Sequence, residues 1–254
     1  MPGILMTLYA LVSYAFFFVT FLFLVGFVGN LPLNLPKTID VGASGPLAEA
    51  VVVNLLLIAA FGLQHSVMAR PAFKRWWTRV VPEPIERSTY VLAATSVLAL
   101  LLWQWRPIAE PVVWNVEQKA GVVALDIVFW AGWGVLLLAT FLINHFELFG
   151  LRQAYARLVG RAVPEQAFRT PLLYRHVRHP IYLGFMIAFW ATPRMTAGHL
   201  LFAAGMTLYI MVGIYFEERD LVAHFGDRYR RYRDQVGMLL PWPRKHAPRG
   251  PVSD

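Results

Sequence analysis

Four short stretches collect the residue types that do chemistry: GLQHSVMARP at 62–71, INHFELFG at 143–150, RHVRHPIYLG at 175–184 and FEERDL at 216–221. Arg178, Glu217 and Glu218 offer charges, His65, His145 and His179 offer imidazoles, and Tyr182, Tyr229 and Tyr232 offer rings and hydroxyls. Such a set suits a ligand with both anionic and cationic parts. Arg binds a carboxylate bidentately, Glu accepts from hydroxyls or an ammonium, and aromatic faces attract a cation. A purely structural ion network would gather the same residues, because such networks also collect titratable groups. The chain has no cysteine, which excludes a thiolate nucleophile, a disulfide framework and iron–sulfur or Cys-zinc sites. A histidine-ligated metal enzyme is a further reading, but the seven histidines form no repeated HxxxH or HxxHH box, and no metal is expected.

The elements that carry these clusters are membrane spans. The 254 residues are 57% hydrophobic and 15% aromatic, far too apolar for a soluble surface to cover. Runs near 4–29, 48–68, 88–105, 121–143 and 196–216 approach or exceed the ~20 apolar residues that cross ~30 Å of hydrocarbon. A sixth run, 181–191, is shorter. The first run is expected to be retained and not cleaved as a signal peptide, because no Lys or Arg precedes it and no small-x-small site ends it. The expected fold is all-α: a polytopic bundle of about six transmembrane helices with a C-terminal cytoplasmic amphipathic helix.

Charge sets the orientation. If all six runs cross, the connections at 70–87 and 152–179 and the tail after 218 share one side and carry 19 of the 23 Lys and Arg. Lys37, Arg106, Lys119 and Arg194 alone lie opposite. The positive-inside rule then makes both termini, and all four polar clusters, cytoplasmic. The net charge of +8 is read as contact with anionic lipid, with no nucleic-acid partner and no obligate protein partner expected.

The short run is informative. Between Pro180, a favourable first helical residue, and Pro193, it rises only about 20 Å, so its polar start sinks toward the membrane interior. After the last span, EERDLVAHFGDRYRRYRDQV keeps a helical period through Leu221, Phe225, Tyr229, Tyr232 and Val236. This predicts an amphipathic helix at the interface, with the final residues, 244–254, a disordered tail.

Arg178-His179-Pro180-x-Tyr182-x-Gly184, then Glu217-Glu218-x-x-Leu221 and Phe225-Gly226-x-x-Tyr229-x-x-Tyr232-Arg233, closing near Pro241, resembles the isoprenylcysteine carboxyl methyltransferase and phospholipid methyltransferase superfamily. These are integral-membrane enzymes that use S-adenosylmethionine. The motifs span roughly residues 170–243. Upstream, Gln64-His65-Ser66 and Asn144-His145-Phe146-Glu147-Leu148-Phe149-Gly150 look more like the bacterial methanethiol S-methyltransferases, with some similarity to the NnrU proteins.

The resemblance implies that Arg178, His179, Pro180, Tyr182, Gly184, Glu217, Glu218, Tyr229 and Tyr232 enclose S-adenosylmethionine, with Arg178 facing its carboxylate. Gly184 would allow close approach of the donor or of a neighbouring helix. It further implies a donor site within 151–243 and an acceptor side within 1–150. A thiol acceptor must become a thiolate, so His145 and His65 are the candidates for that side, oriented by Asn144 and Glu147. The expected reaction is methyl transfer to a small thiol, methanethiol giving dimethyl sulfide. A lipid, isoprenoid or prenylcysteine acceptor, or a non-enzymatic NnrU-like protein, are the other readings.

Overall fold

The computed structural model describes residues 2–33, 35–43, 45–162 and 168–241 of the chain. The expected tail, 244–254, lies outside the described residues. Helix α1 is Gly3–Val28, α2 Leu47–Met68, the short α3 Pro71–Trp77, and α4 Glu83–Gln104. Strand β1, Val112–Asn115, leads to α5, Lys119–Ile143, followed by the one-turn α6, His145–Leu148, and α7, Leu151–Leu158. A 3₁₀ turn, Leu172–Arg175, precedes α8, Pro180–Trp190; then come β2, Arg194–Thr196, α9, Ala197–Phe225, and α10, Asp227–Gln235. Among the described residues the bundle is all-α apart from one two-stranded antiparallel ribbon, which pairs Val112 with Thr196 and Asn115 with Arg194.

Among the described residues, five helices, α1, α2, α4, α5 and α9, are long and apolar enough to span a bilayer. Large apolar side chains such as Leu56, Ile127 and Leu208 stay exposed along them, as lipid-facing positions must. The chain is a multi-pass membrane protein. The sixth run is the 11-residue α8, about 16 Å of rise, and it is laid along α5. A Cβ on Gly184 would meet the Gly132 carbonyl and the Leu136 nitrogen at 2.7 Å, and one on Gly132 would meet Gly184 O at 2.8 Å. The two backbones therefore touch where both residues lack side chains, a small-residue crossing typical of membrane helices. Of the two uses the sequence left open for Gly184, helix approach is the one it serves.

The C-terminal region departs from expectation. The last span does not stop near residue 216; α9 runs unbroken for 29 residues to Phe225, so Glu217 and Glu218 lie inside a helix and not after it. The predicted amphipathic helix is broken at Gly226, whose φ of 56° and ψ of −132° suit a residue without Cβ. Beyond this break α10 turns back. Tyr229 becomes buried at 2% exposure, edge-on to Phe168, so α10 packs on protein through that ring.

The end of the bundle that holds the ribbon is pinned by a separate network. Asp40 accepts from Thr196 Oγ1 at 2.6 Å and from Asn30 Nδ2 at 2.7 Å, and Asn54 exchanges bonds with the Arg106 backbone. Trp105, Phe27, Ile39, Leu101 and Phe202 are all fully buried beside it. This end is closely packed and hydrogen-bonded, and the polar clusters lie at the other.

Candidate active site

The chain just before α8 is strapped to the chain just after α10. Arg178 N donates to Gly237 O at 2.9 Å and His179 N to Met238 O at 3.2 Å, with Val177 and Gly237 forming a parallel bridge. This fixes the direction of two side chains. Arg178 donates through Nε to Glu218 Oε1 at 2.7 Å and through Nη1 to the carbonyls of Arg233 and Val236 at 3.0 and 2.6 Å. His179 Nε2 stands 3.1 Å from the same Oε1. The side chains of Arg178, His179 and Glu218 are only 5%, 4% and 14% exposed. Charges so deep persist only when paired, and the two carbonyls at the end of α10 add the partners and the negative helix end that favour a cation. The Nε and Nη1 donors that the resemblance directs at a ligand carboxylate are thus engaged by protein groups. Arg178 ties α8, α9 and α10 together.

Glu217 is the contrasting neighbour. Its side chain is 41% exposed; it accepts from Tyr182 Oη at 2.8 Å and lies 3.9 Å from His179 Nδ1. Its charge is within electrostatic reach of Tyr90, Tyr174, Tyr182, Tyr209 and Tyr229. A half-exposed carboxylate bonded to a tyrosine, with further tyrosines within electrostatic reach, suits hydroxyls or a cation. Pro180 starts α8, its ring buried, and thereby sets the angle at which Tyr182 reaches Glu217.

Tyr229 and Tyr232 complete this side from α10. Tyr232 donates to Tyr174 O at 2.5 Å, while the Tyr229 hydroxyl is buried with no partner among the described residues. Burial raises the Tyr229 phenol and pushes Tyr232 up to about 12 despite the opposing pull of Arg178. Both remain hydrogen-bond donors at neutral pH. His176 and Arg175, by contrast, are exposed, and among the described residues they bond to nearby carbonyls.

The two histidines that the resemblance puts on the acceptor side occupy different neighbourhoods. His145 is buried between α1 and α5, its Nε2 2.8 Å from Tyr14 Oη and its Nδ1 2.9 Å from Thr140 Oγ1, with Phe141 stacked 4.4 Å away. Burial lowers its pKa, so it is neutral. Asn144 sits in the left-handed region at φ 95°, which Asn tolerates, and ends α5 there. It donates to Glu147 Oε2 at 2.7 Å, and Arg152 donates to the same oxygen at 2.6 Å. Asn144 and Glu147 thus shape the turn that presents His145, whose orientation comes from Tyr14 and Thr140.

His65 stands in the last turn of α2, its Nε2 2.8 Å from Tyr90 Oη on α4. Its ring is edge-on to Tyr209 on α9 at 6.0 Å. That approach depends on Gly62, where a Cβ would meet the Tyr209 ring at 2.9 Å. Tyr90 and Tyr209 thus hold the His65 ring, while Tyr182 bonds Glu217. Arg87 connects the two histidine sites, donating to Leu148 O at 2.7 Å and covering the Tyr90 ring at 5.0 Å. Arg70 closes α2 on α9 through Asp220 at 3.0 Å. Sequence reasoning missed Tyr14, Arg87, Tyr90 and Tyr209. The aromatic three sit in apolar runs with no local mark; Arg87 at the start of a span was the one visible signal.

Comparison with known proteins follows this geometry. The chain is 57% identical to methanethiol S-methyltransferase of Mycobacterium tuberculosis over 97% of this chain and 100% of that protein. It is 54% identical to methanethiol S-methyltransferase of Pseudomonas deceptionensis over 94% of this chain and 90% of that one. Nurim of Danio rerio is 28% identical over 83% of each. No family model matches the chain, and no solved structure matches it. With multi-pass helices and relatives of this identity along nearly its whole length, the chain belongs to the methanethiol S-methyltransferase family of membrane methyltransferases.

Proposed function

We propose that the protein transfers the methyl group of S-adenosylmethionine to methanethiol, releasing dimethyl sulfide and S-adenosylhomocysteine. The observation that carries this reading is the half-exposed Glu217, bonded to Tyr182 and set beside the buried Arg178–Glu218–His179 cluster, in a chain so similar to enzymes bearing that name. Glu217, Tyr182, Tyr229 and Tyr232 are the groups that bind the donor. Arg178, His179 and Glu218 hold them in place. The buried, unpartnered Tyr229 hydroxyl supports a polar ligand here.

Bound at this site, the donor supplies a methyl group on a sulfonium that needs no further activation. The chain's own residues then have two tasks, alignment and exclusion of water. Glu217 accepts from the donor's hydroxyls or ammonium, the tyrosine rings face its cationic part, and the α8–α10 strap keeps both from moving. The acceptor approaches from the α2–α4 side, where His65 and Tyr90 stand, with the His145 turn as the neighbouring wall. Both termini and the site face the cytoplasm, which the concentration of Lys and Arg at that end supports.

Isothermal titration tests the donor half. Saturable binding of S-adenosylmethionine by the folded wild type, weakened at least tenfold in Glu217→Ala, is expected; no binding by the folded protein removes the reading.

A further inference from the structure

The two histidines on the acceptor side differ in one respect that bears on chemistry. Both ring nitrogens of His145 are taken, by Tyr14 and Thr140. A neutral imidazole has one donor and one acceptor nitrogen, so His145 has no nitrogen left for a substrate. His65 uses only Nε2, on Tyr90, while its Nδ1 is buried and meets no partner among the described residues. Several buried polar atoms among the described residues are unmet, His199 Nδ1 at the ribbon end included, but His65 carries the one such imidazole nitrogen within the polar clusters. Here it stands beside the rings of Tyr90 and Tyr209.

We infer that His65 is the base that takes the proton of the thiol acceptor, that Tyr90 is a positioning residue for its ring, and that His145 is an anchor between α1 and α5. The inference rests on the thiol-methylating function proposed above. In the step it describes, the S–H bond breaks and its proton passes to the free Nδ1 of His65. The sulfur lone pair forms a bond to the donor's methyl carbon as the donor's carbon–sulfur bond breaks, leaving two neutral thioethers. The proton then leaves His65 for water at the end of α2. Tyr90, through its bond to Nε2, fixes both the ring plane and the nitrogen left open. The second constraint is the Tyr209 edge against the same ring, seated by Gly62.

A base matters less when the acceptor is already ionised, and this separates it from a structural role. Initial rates with methanethiol and with an acidic aromatic thiol, ionised at the assay pH, are to be compared in wild type, His65→Gln, Tyr90→Phe and His145→Gln, each first shown to bind S-adenosylmethionine. His65→Gln is expected to lose about 100-fold with methanethiol, within the range for general-base catalysis, and less than tenfold with the aromatic thiol. Tyr90→Phe shows the same selective loss, smaller in size. His145→Gln lowers both acceptors alike. Equal loss on both thiols in His65→Gln and Tyr90→Phe, or selective loss in His145→Gln, overturns the inference while leaving the methyltransferase reading intact. Failure of the wild type to methylate either thiol overturns that reading instead, and the inference with it.

Discussion

Arg178 and Glu218, forty residues apart in the chain, meet at 2.7 Å inside the protein, with His179 on the same carboxylate oxygen. Removing one partner strands the other charge among buried groups, which costs ~3–5 kcal/mol. Glu218→Ala is therefore expected to lower Tm markedly and to weaken S-adenosylmethionine binding at least tenfold, while the protein stays in the membrane. The double substitution Arg178→Met with Glu218→Leu removes both charges; it should recover much of the Tm but not the affinity. Thermal unfolding in detergent and titration calorimetry read the two effects separately.

Gly226 offers a test of α10 that leaves every polar group in place. A Cβ there meets no atom within 4 Å, so Gly226→Ala introduces backbone strain without a clash, about 1–3 kcal/mol for so unusual a conformation. Relief of that strain moves α10, and with it Tyr229, Tyr232 and the carbonyls that hold Arg178. Donor affinity is expected to fall several-fold with little change in helix content by circular dichroism.

His145 gives the fold a pH dependence of definite sign. Burial lowers its pKa below the ordinary 6.5, so between that value and the folded one the unfolded chain binds a proton that the folded chain refuses. Stability then rises with pH across this window and is lost as pH falls through it. Tm measured from pH 7 to pH 5 should drop more steeply in wild type than in His145→Gln.

The orientation can be read directly, because the chain has no cysteine of its own. Lys119 and Arg161 are both exposed and are assigned to opposite faces. In intact cells a membrane-impermeant maleimide should label Lys119→Cys and spare Arg161→Cys until the membrane is opened.

Much of this was legible beforehand, and the exceptions have physical causes. Spans 4–29, 48–68 and 121–143 fall within two residues of α1, α2 and α5, because lipid imposes a long apolar run that no tertiary contact is needed to explain. The end of α9 was misplaced because Glu217 and Glu218 look like the aqueous edge of a span. They stay helical because Tyr182 on α8, and His179 and Arg178 just before it, reach them, and no periodicity records that. The histidines could be named from the sequence as a set but not told apart. What separates them is that Tyr14 pairs with His145 across 131 residues and Tyr90 with His65 across 25, both consequences of helix packing. Tyr14, Tyr90 and Tyr209 were silent for the same reason: a tyrosine in an apolar run reads as ordinary membrane aromatic until its hydroxyl or ring edge meets a partner.

The central claim is best tested by headspace analysis of purified protein supplied with methanethiol and S-adenosylmethionine carrying a labelled methyl group. Singly labelled dimethyl sulfide, formed in step with S-adenosylhomocysteine and suppressed in Glu217→Ala, is the predicted result. Donor binding by folded protein with no labelled dimethyl sulfide under the same conditions would contradict it.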